Sequence, residues 1–257
     1  MKRFSGKSRR RLAAVWLSLV LMLGLAAPGM SSAEEVSAGG VSAEEASAAA
    51  GSDSGASAQT ERTPPLARYS DVPEQAYYAK ALEFFTLTNI IAPNEQGAFE
   101  AEKPVTRAEF AVWLARALGL VPDGENIFRD LPASAPESPY IHALYRKGLV
   151  RGYGDGTFRG EQPITRAEAA ALLAGASGRQ GNPRDAMAFS DVAPDDWFAG
   201  AVGLLANMRV VNGKAKDAFA PQDALTRGEA AALLYRLLFE VKQIEALDGG
   251  KVTINGR

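Results

Sequence analysis

The feature that most constrains this chain is a pattern that occurs three times: an aspartate, followed thirty-five residues later by a Thr-Arg-x-Glu box. The aspartates are Asp71, Asp130 and Asp191, and the boxes begin at Thr106, Thr165 and Thr226. Successive boxes lie 59 and 61 residues apart, so the difference in length falls between the copies and not within them. Each copy is therefore one supersecondary unit, and the three units must build the fold together.

Within each copy, apolar residues after the aspartate recur at the spacing of an amphipathic helix. In the first copy they are Ala81, Leu82 and Phe85, and the same offsets carry mostly apolar residues in the other two copies. A turn follows and ends in a phenylalanine, after which the box opens a second apolar run, Phe110 to Leu118 in the first copy. The pattern predicts a helix, a tight loop and a second helix in every copy.

The box predicts where the second helix begins. A threonine at the N-cap accepts a hydrogen bond from a backbone N-H, and a glutamate three residues later reaches back to the N-cap N-H, which together form a capping box. The pairs are Thr106 with Glu109, Thr165 with Glu168, and Thr226 with Glu229. Each such start stabilises its helix by on the order of 1 kcal/mol.

The arginine of each box is harder to explain by helix stability. Arg107, Arg166 and Arg227 stand in the first helical turn, where the partial positive charge of the helix favours acidic side chains. A guanidinium beside a helix N-terminus suits a carboxylate or a phosphate, which would make each arginine part of a ligand site. Each could equally pair with an aspartate of its own or a neighbouring copy and stabilise their packing. The residues alone leave both roles open.

Other repeated residues carry the same two interpretations. The three aspartates can contact a ligand or cap a turn. Tyr77 and Trp197, each six residues after its aspartate, can offer a ring to a ligand or pack at the rim of the core, and Pro136 holds this position in the second copy. Arg151 lies in the glycine-rich turn of the second copy.

The run Phe189-Ser190-Asp191-Val192 with Trp197, the segment Gly148 to Phe158 and the three boxes resemble S-layer homology (SLH) domains in three tandem copies. The resemblance covers about residues 69–238. It implies a mainly α fold, in which three helix-loop-helix repeats form a three-pronged domain with pseudo-threefold symmetry. It also implies that grooves between adjacent repeats bind secondary cell wall polysaccharide, typically through pyruvylated N-acetylmannosamine, whose ketal carries a carboxylate.

On this basis the expected carbohydrate-binding residues are Asp71, Tyr77, Arg107, Asp130, Arg151, Arg166, Asp191, Trp197 and Arg227. No copy matches the family pattern throughout. The first lacks the Gly-Tyr-x-Asp-Gly-Thr-Phe turn and replaces the tryptophan, the second replaces the tryptophan, and the third keeps Trp197 but loses the turn at Asn212 to Phe219. We therefore expect three unequal grooves.

The two ends of the chain differ from the repeats. Six basic residues, an apolar run and a small-residue cleavage pattern predict a signal peptide at 1–33, by the Sec or the twin-arginine route, followed by a disordered Ala/Ser/Gly/Glu-rich spacer at 34–66. Repeats are then expected at 67–124, 125–184 and 185–240. The β-like tail at 241–257 contains a hairpin turn at Asp248-Gly249-Gly250, and it either packs on the repeats or marks a truncated following module.

Charge and composition narrow the function. Removal of residues 1–33 would move the formal net charge from −2 to −8, which argues against nucleic acid as a partner. The chain has no cysteine and one histidine, His142, so we expect no nucleophile-histidine catalysis, no metal site and no cofactor. We also expect no stable membrane insertion after signal cleavage, because the apolar run is shorter than a membrane span.

These observations predict an exported, non-catalytic protein that binds noncovalently to pyruvylated polysaccharide in the cell wall or S-layer of a Gram-positive bacterium. Two alternatives stay open. The repeats of a structural surface-layer protein would instead make protein-protein contacts, and the chain could also be the anchoring part of a wall-associated hydrolase.

Overall fold

Each of the three repeats forms a helix, a loop and a second helix, which confirms the mainly α fold. The computed structural model describes residues 64–124, 127–242, 244–248 and 251–254, so the predicted signal peptide and nearly all of the predicted spacer lie outside the described residues. Those residues contain the helices α1 Ala79–Leu87, α2 Arg107–Ala117, α3 Ser138–Arg146, α4 Arg166–Ser177, α5 Ala199–Asn207 and α6 Arg227–Lys242. None of the helices described is long and apolar enough to cross a membrane.

The repeated aspartates hold the loop in front of each second helix. Each carboxylate accepts two consecutive backbone N-H groups, at 2.6 to 2.7 Å, from the phenylalanine that ends the loop and from the residue after it. That second residue has a positive φ in all three repeats, at Glu100, Arg159 and Ala220. The chain therefore reverses there, and the phenylalanine ring is directed into the core.

The predicted capping boxes form in two of the three repeats. In repeat 2 the Thr165 hydroxyl accepts from the N-H of Glu168, whose carboxylate accepts from the N-H of Thr165. Thr226 and Glu229 make the same two bonds in repeat 3. In repeat 1 the side chain of Thr106 caps the helix, while the carboxylate of Glu109 accepts from the guanidinium of Arg227. The box prediction is thus only half fulfilled in repeat 1, where the threonine caps the helix and no return bond from the glutamate is seen among the residues described.

A closed ring of backbone hydrogen bonds joins the residues that precede the three boxes. The N-H of Val105 donates to the carbonyl of Leu225 at 2.9 Å, Leu225 donates to Ile164 at 2.9 Å, and Ile164 donates to Val105 at 3.1 Å. All three residues are fully buried. Because each repeat supplies one donor and one acceptor, the ring is complete only when the three repeats meet around one axis.

The repeats also satisfy the N-termini of each other's second helices. The first two N-H groups of α2 donate to the carbonyls of Gln162 and Gly160 in repeat 2, at 2.8 and 2.9 Å. The corresponding groups of α4 donate into repeat 3, and those of α6 donate into repeat 1, at 2.8 to 3.0 Å. At the start of an isolated helix these backbone N-H groups would have no protein partner. Here they donate to carbonyls of a neighbouring repeat.

One hydrophobic core runs through all three repeats. Its largest fully buried side chains include Phe85, Phe99, Phe110, Phe158 and Phe219. The first and last helices close it, since Phe84 and Phe85 of α1 lie edge-on to Tyr235 of α6, with ring centroids 5.7 and 6.3 Å apart.

Further elements lie beside the first and the last repeat. A 3-10 helix at Pro65–Arg68 occupies the last residues of the predicted spacer, and its Leu66 packs on the core. At the other end α6 continues to Lys242, and the tail follows it. The tail itself is an antiparallel pair, β1 Ile244–Asp248 with β2 Lys251–Ile254, in which Asp248 faces Lys251.

The shared core and the ring predict that a single repeat does not fold. Residues 127–174, which contain all of α3 and most of α4, should show little helical circular dichroism and no cooperative melt, because a unit of this size buries too little surface alone. Residues 64–242 should melt in one two-state transition. A cooperative melt of the isolated repeat would contradict the shared-core account.

Candidate functional site

The arginine of each box crosses the boundary to the next repeat and meets the glutamate of that repeat's box. The guanidinium of Arg107 lies 3.5 Å from the carboxylate of Glu168, and that of Arg166 lies 3.6 Å from Glu229. Arg227 pairs with Glu109, which returns to repeat 1 and completes the circle. The arginines therefore form ion pairs between repeats, which is the structural role considered for them. Their partner is a glutamate and not the expected aspartate, because each aspartate carboxylate already accepts two N-H groups of its own loop.

Each guanidinium also covers the buried phenylalanine of the repeat that it enters. The guanidinium carbons of Arg107, Arg166 and Arg227 lie 5.0, 4.8 and 5.1 Å from the ring centroids of their phenylalanines. A cation over an aromatic face contributes about 0.5 to 2 kcal/mol, with the larger values at sites removed from water. Since 5 to 14 % of each arginine side chain is exposed, these contacts lie at the buried end of that range.

Backbone carbonyls fix two of the three arginines further. The Nε of Arg166 donates to the carbonyl of Phe219 at 2.8 Å, and one of its terminal nitrogens donates to Asn212 at 3.1 Å. The Nε of Arg227 donates to the carbonyl of Phe99 at 2.6 Å. Burial lowers the pKa of Arg166, while the nearby carboxylate of Glu229 acts in the opposite direction.

A groove opens beside Arg166, between repeats 2, 3 and 1, and we call it groove 3. It has a volume of about 410 Å³. The floor and walls come from Arg166, the turn Asn212-Gly213-Lys214, and the α6 residues Glu229, Ala232, Leu233 and Arg236, with Tyr77 of repeat 1 as the aromatic wall. This lining contains three cationic side chains and one carboxylate, so the groove carries positive charge on an acidic chain.

Tyr77 lies against the third box, and the glycine of that box makes the approach possible. A Cβ on Gly228 would lie 3.0 Å from the hydroxyl of Tyr77 and 2.9 Å from the ring of Tyr78, closer than alanine tolerates comfortably. The other boxes have alanine at this position. Partial desolvation raises the pKa of Tyr77, and a side-chain hydrogen bond with Thr226 opposes that change. Even so, 60 % of the Tyr77 surface is exposed, and the residue lines groove 3.

The expected site residues therefore fall into three groups. Groove 3 brings Tyr77 and Arg166 together, and Trp197, which is 68 % exposed, holds the position equivalent to Tyr77 in repeat 3. Arg107 and Arg227 are the counterparts of Arg166 at the other two repeat boundaries. The carboxylates of the three aspartates accept backbone N-H groups of their own loops. Arg151 is exposed, and its position in repeat 2 corresponds to that of Asn212, which lines groove 3.

Two cationic residues of groove 3 were not among the expected site residues. Lys214 lies twelve residues before the box threonine, where the family-like turn of repeat 2 has a tyrosine. Arg236 lies ten residues after that threonine, and it donates to the carbonyl of Val210 at 3.4 Å. Arg116 makes the same contact with Ile90 in repeat 1. The repetition of this arginine in two copies was the available sequence signal.

Comparison with known proteins agrees with this architecture. A protein-family model, the S-layer homology domain, matches residues 68–111, 127–170 and 188–231, which is just over half of the chain. The chain belongs to the S-layer homology domain family. The three matches coincide with the three repeats that the ring joins.

Several curated proteins are similar to this SLH chain. A surface layer protein of Brevibacillus choshinensis is 38% identical over 101 residues, 38% of this chain and 9% of that protein. A cellulosome-anchoring protein of Acetivibrio thermocellus is 30% identical over 135 residues, 50% of this chain and 30% of that protein. An amylopullulanase of Thermoanaerobacterium thermosulfurigenes is 32% identical over 165 residues, 61% of this chain and 9% of that protein.

The matched part of the chain thus spans less than a third of the length of these relatives. The family and its surface relatives place the SLH chain at the cell wall or S-layer.

The contacts of Arg166 predict that it stabilises the fold. Arg166→Met should lower the free energy of unfolding by about 2 to 3 kcal/mol, because the change removes two hydrogen bonds to backbone carbonyls and one of the two cations beside Glu229. Urea denaturation measures this loss. Arg151→Met is the matched control, since an exposed arginine should change stability by less than about 0.5 kcal/mol. Equal stability of the two variants would contradict a packing role for Arg166.

Proposed function

We propose that this SLH chain attaches noncovalently to the cell wall by binding an anionic wall polysaccharide, with a pyruvylated N-acetylmannosamine as the recognised unit, in the grooves between repeats. The observation that carries the proposal is groove 3. Its volume of about 410 Å³ suits one or two sugar rings, and its lining is positively charged although the whole chain is acidic.

The charge of the groove supports an acidic sugar over a neutral one. Arg166, Lys214 and Arg236 outnumber Glu229, and Arg166 is held in place by backbone carbonyls. A pyruvyl ketal supplies a carboxylate, and charge-assisted hydrogen bonds to such a group contribute about 1.5 to 3 kcal/mol. A cation that is already fixed loses little side-chain entropy when the ligand arrives, so more of that energy remains for binding.

The rim of the groove supports a sugar over a small free anion. Tyr77 offers an exposed aromatic face next to the cationic floor, and the apolar face of a pyranose ring can pack on such a surface. Trp197 offers a larger exposed ring at the equivalent position of repeat 3. The combination of a flat ring and a positive floor fits a polymer whose sugars carry occasional carboxylates.

The helix N-termini are not part of the proposed site. The sequence offered an anion site at these N-termini as one of two roles, yet the first two N-H groups of each second helix donate to carbonyls of the next repeat, and the next N-H donates to the box threonine. The proposed carboxylate contacts therefore come from side chains, and they should weaken with salt more than buried backbone contacts would.

Cosedimentation with cell-wall sacculi tests the proposal. Residues 34–257 should pellet with sacculi that retain their pyruvylated polysaccharide, because the ketal carboxylates meet the cationic groove. Sacculi from which the polysaccharide is stripped, and sacculi that retain it without the ketals, should leave the protein in the supernatant. Equal binding to ketal-free polysaccharide would contradict the carboxylate argument. Sedimentation of the protein alone would favour the other candidate, assembly through protein-protein contacts, which the similarity to a surface layer protein supports.

A further inference from the structure

The residue twelve positions before the box threonine differs in all three repeats. This position holds Asn94 in repeat 1, Tyr153 in repeat 2 and Lys214 in repeat 3. The box arginine, the box glutamate and the buried phenylalanine are the same in all three repeats. This variable residue lies beside residues that do not vary, so it can make the three grooves differ in what they bind.

In repeat 2 the variable residue is engaged with the conserved pair. The hydroxyl of Tyr153 donates to Glu168 at 2.5 Å, and the guanidinium carbon of Arg107 lies 5.3 Å from the centre of the Tyr153 ring. The guanidinium of Arg159 covers that ring as well, at 3.9 Å. Arg107 is thus held between Tyr153, Phe158 and Glu168, and its Nε is buried without a hydrogen-bond partner among the residues described. In repeat 2 the variable residue therefore contacts the conserved pair itself and adds no positive charge beside Arg107.

In repeat 1 the variable residue serves its own turn. The side-chain oxygen of Asn94 accepts from the N-H groups of Gln96 and Ala98, at 3.0 and 2.8 Å. The residue is uncharged and is occupied locally, so it adds no positive charge to the groove beside Arg227.

In repeat 3 the variable residue is a cation that faces the groove. The ammonium of Lys214 lies 3.4 Å from Glu229 and 3.6 Å from Asp223, and its side chain is 35% exposed. Both pairs are longer than a short charged hydrogen bond, and the Asp223 carboxylate is 55% exposed. A surface pair of this kind contributes little to stability, so Lys214 can turn to another carboxylate at low cost.

We propose that Lys214 is the specificity-determining residue of this chain, and that it makes groove 3 the principal site for an acidic sugar by adding a weakly paired, partly exposed cation beside the fixed Arg166. The proposal rests on the proposed function, because it names which groove recognises the carboxylate and how. In groove 3 the ligand carboxylate displaces Asp223 from Lys214, while Arg166 keeps its place against Phe219 and Glu229.

The test uses isothermal titration of residues 34–257 with a monovalent methyl glycoside of N-acetylmannosamine that carries a 4,6-pyruvyl ketal. The wild-type chain should show one principal site per molecule. Lys214→Met should weaken that site by about 10-fold or more, the loss of one charge-assisted hydrogen bond. Lys214→Arg should stay within a few-fold of wild type, because it restores the charge. Asp223→Asn should strengthen binding by a few-fold, because it removes the carboxylate that competes for Lys214.

Two further readouts separate recognition from a structural effect. Lys214→Met should reduce the preference for the ketal saccharide over the same saccharide without the ketal, whereas a distorted groove would weaken both alike. Tyr153→Phe is the matched control, since the same position in repeat 2 should leave the principal site unchanged. The thermal midpoint of Lys214→Met should stay close to that of wild type.

The outcomes distinguish the two claims. If wild type pellets with pyruvylated sacculi and Lys214→Met binds the ketal saccharide as tightly as wild type, the inference is wrong and the proposed function stands. Three equivalent sites in the wild-type titration would also overturn the inference. If wild type binds neither the saccharide nor the sacculi, the proposed function fails and the inference fails with it.

Discussion

The ring of three buried hydrogen bonds between Val105, Ile164 and Leu225 is the constraint on which the rest of this structure depends. Each bond joins two different repeats, so the ring fixes both the order of the repeats around the axis and the height of each box along it. Once the ring is closed, the first N-H groups of every second helix meet carbonyls of the next repeat. The box arginines then reach the glutamate and the phenylalanine of that repeat. Groove 3 is a consequence of this geometry, because it lies where the repeats meet.

The same geometry explains how arginine fits a helix N-terminus that ordinarily favours acidic residues. The positive end of α4 is offset by two carbonyls of repeat 3 and by the capping glutamate, and the Arg166 guanidinium extends away from it to Phe219 and Glu229. The arginine therefore stabilises the junction between repeats and also presents a fixed cation to groove 3. A ligand at that groove would contact two repeats through one side chain and should stabilise their association.

Much of the fold could be predicted from the sequence because its signals are local. The 3.6-residue periodicity around Leu82, the capping pair Thr165 and Glu168, and the constant spacing from Asp71 to Thr106 each depend on residues within one repeat. The contacts between repeats could not be predicted in the same way. The partner of Arg166 depends on which repeat follows around the axis, and the Asp191 carboxylate was a plausible partner until its loop bonds were known. Lys214 could not be predicted as a site residue from the repeats, because repeat 1 has an asparagine and repeat 2 a tyrosine at the same position.

Native-state hydrogen exchange of three amides tests the central claim most directly. The ring predicts that the N-H groups of Val105, Ile164 and Leu225 exchange only when the whole domain unfolds, with equal opening free energies that match the value from urea denaturation. All three opening free energies should fall together in Arg166→Met, although only one of the amides lies in the repeat that carries the substitution. Exchange of one amide at a much lower free energy than the other two would show that a repeat can open by itself, and would contradict a closed, cooperative ring.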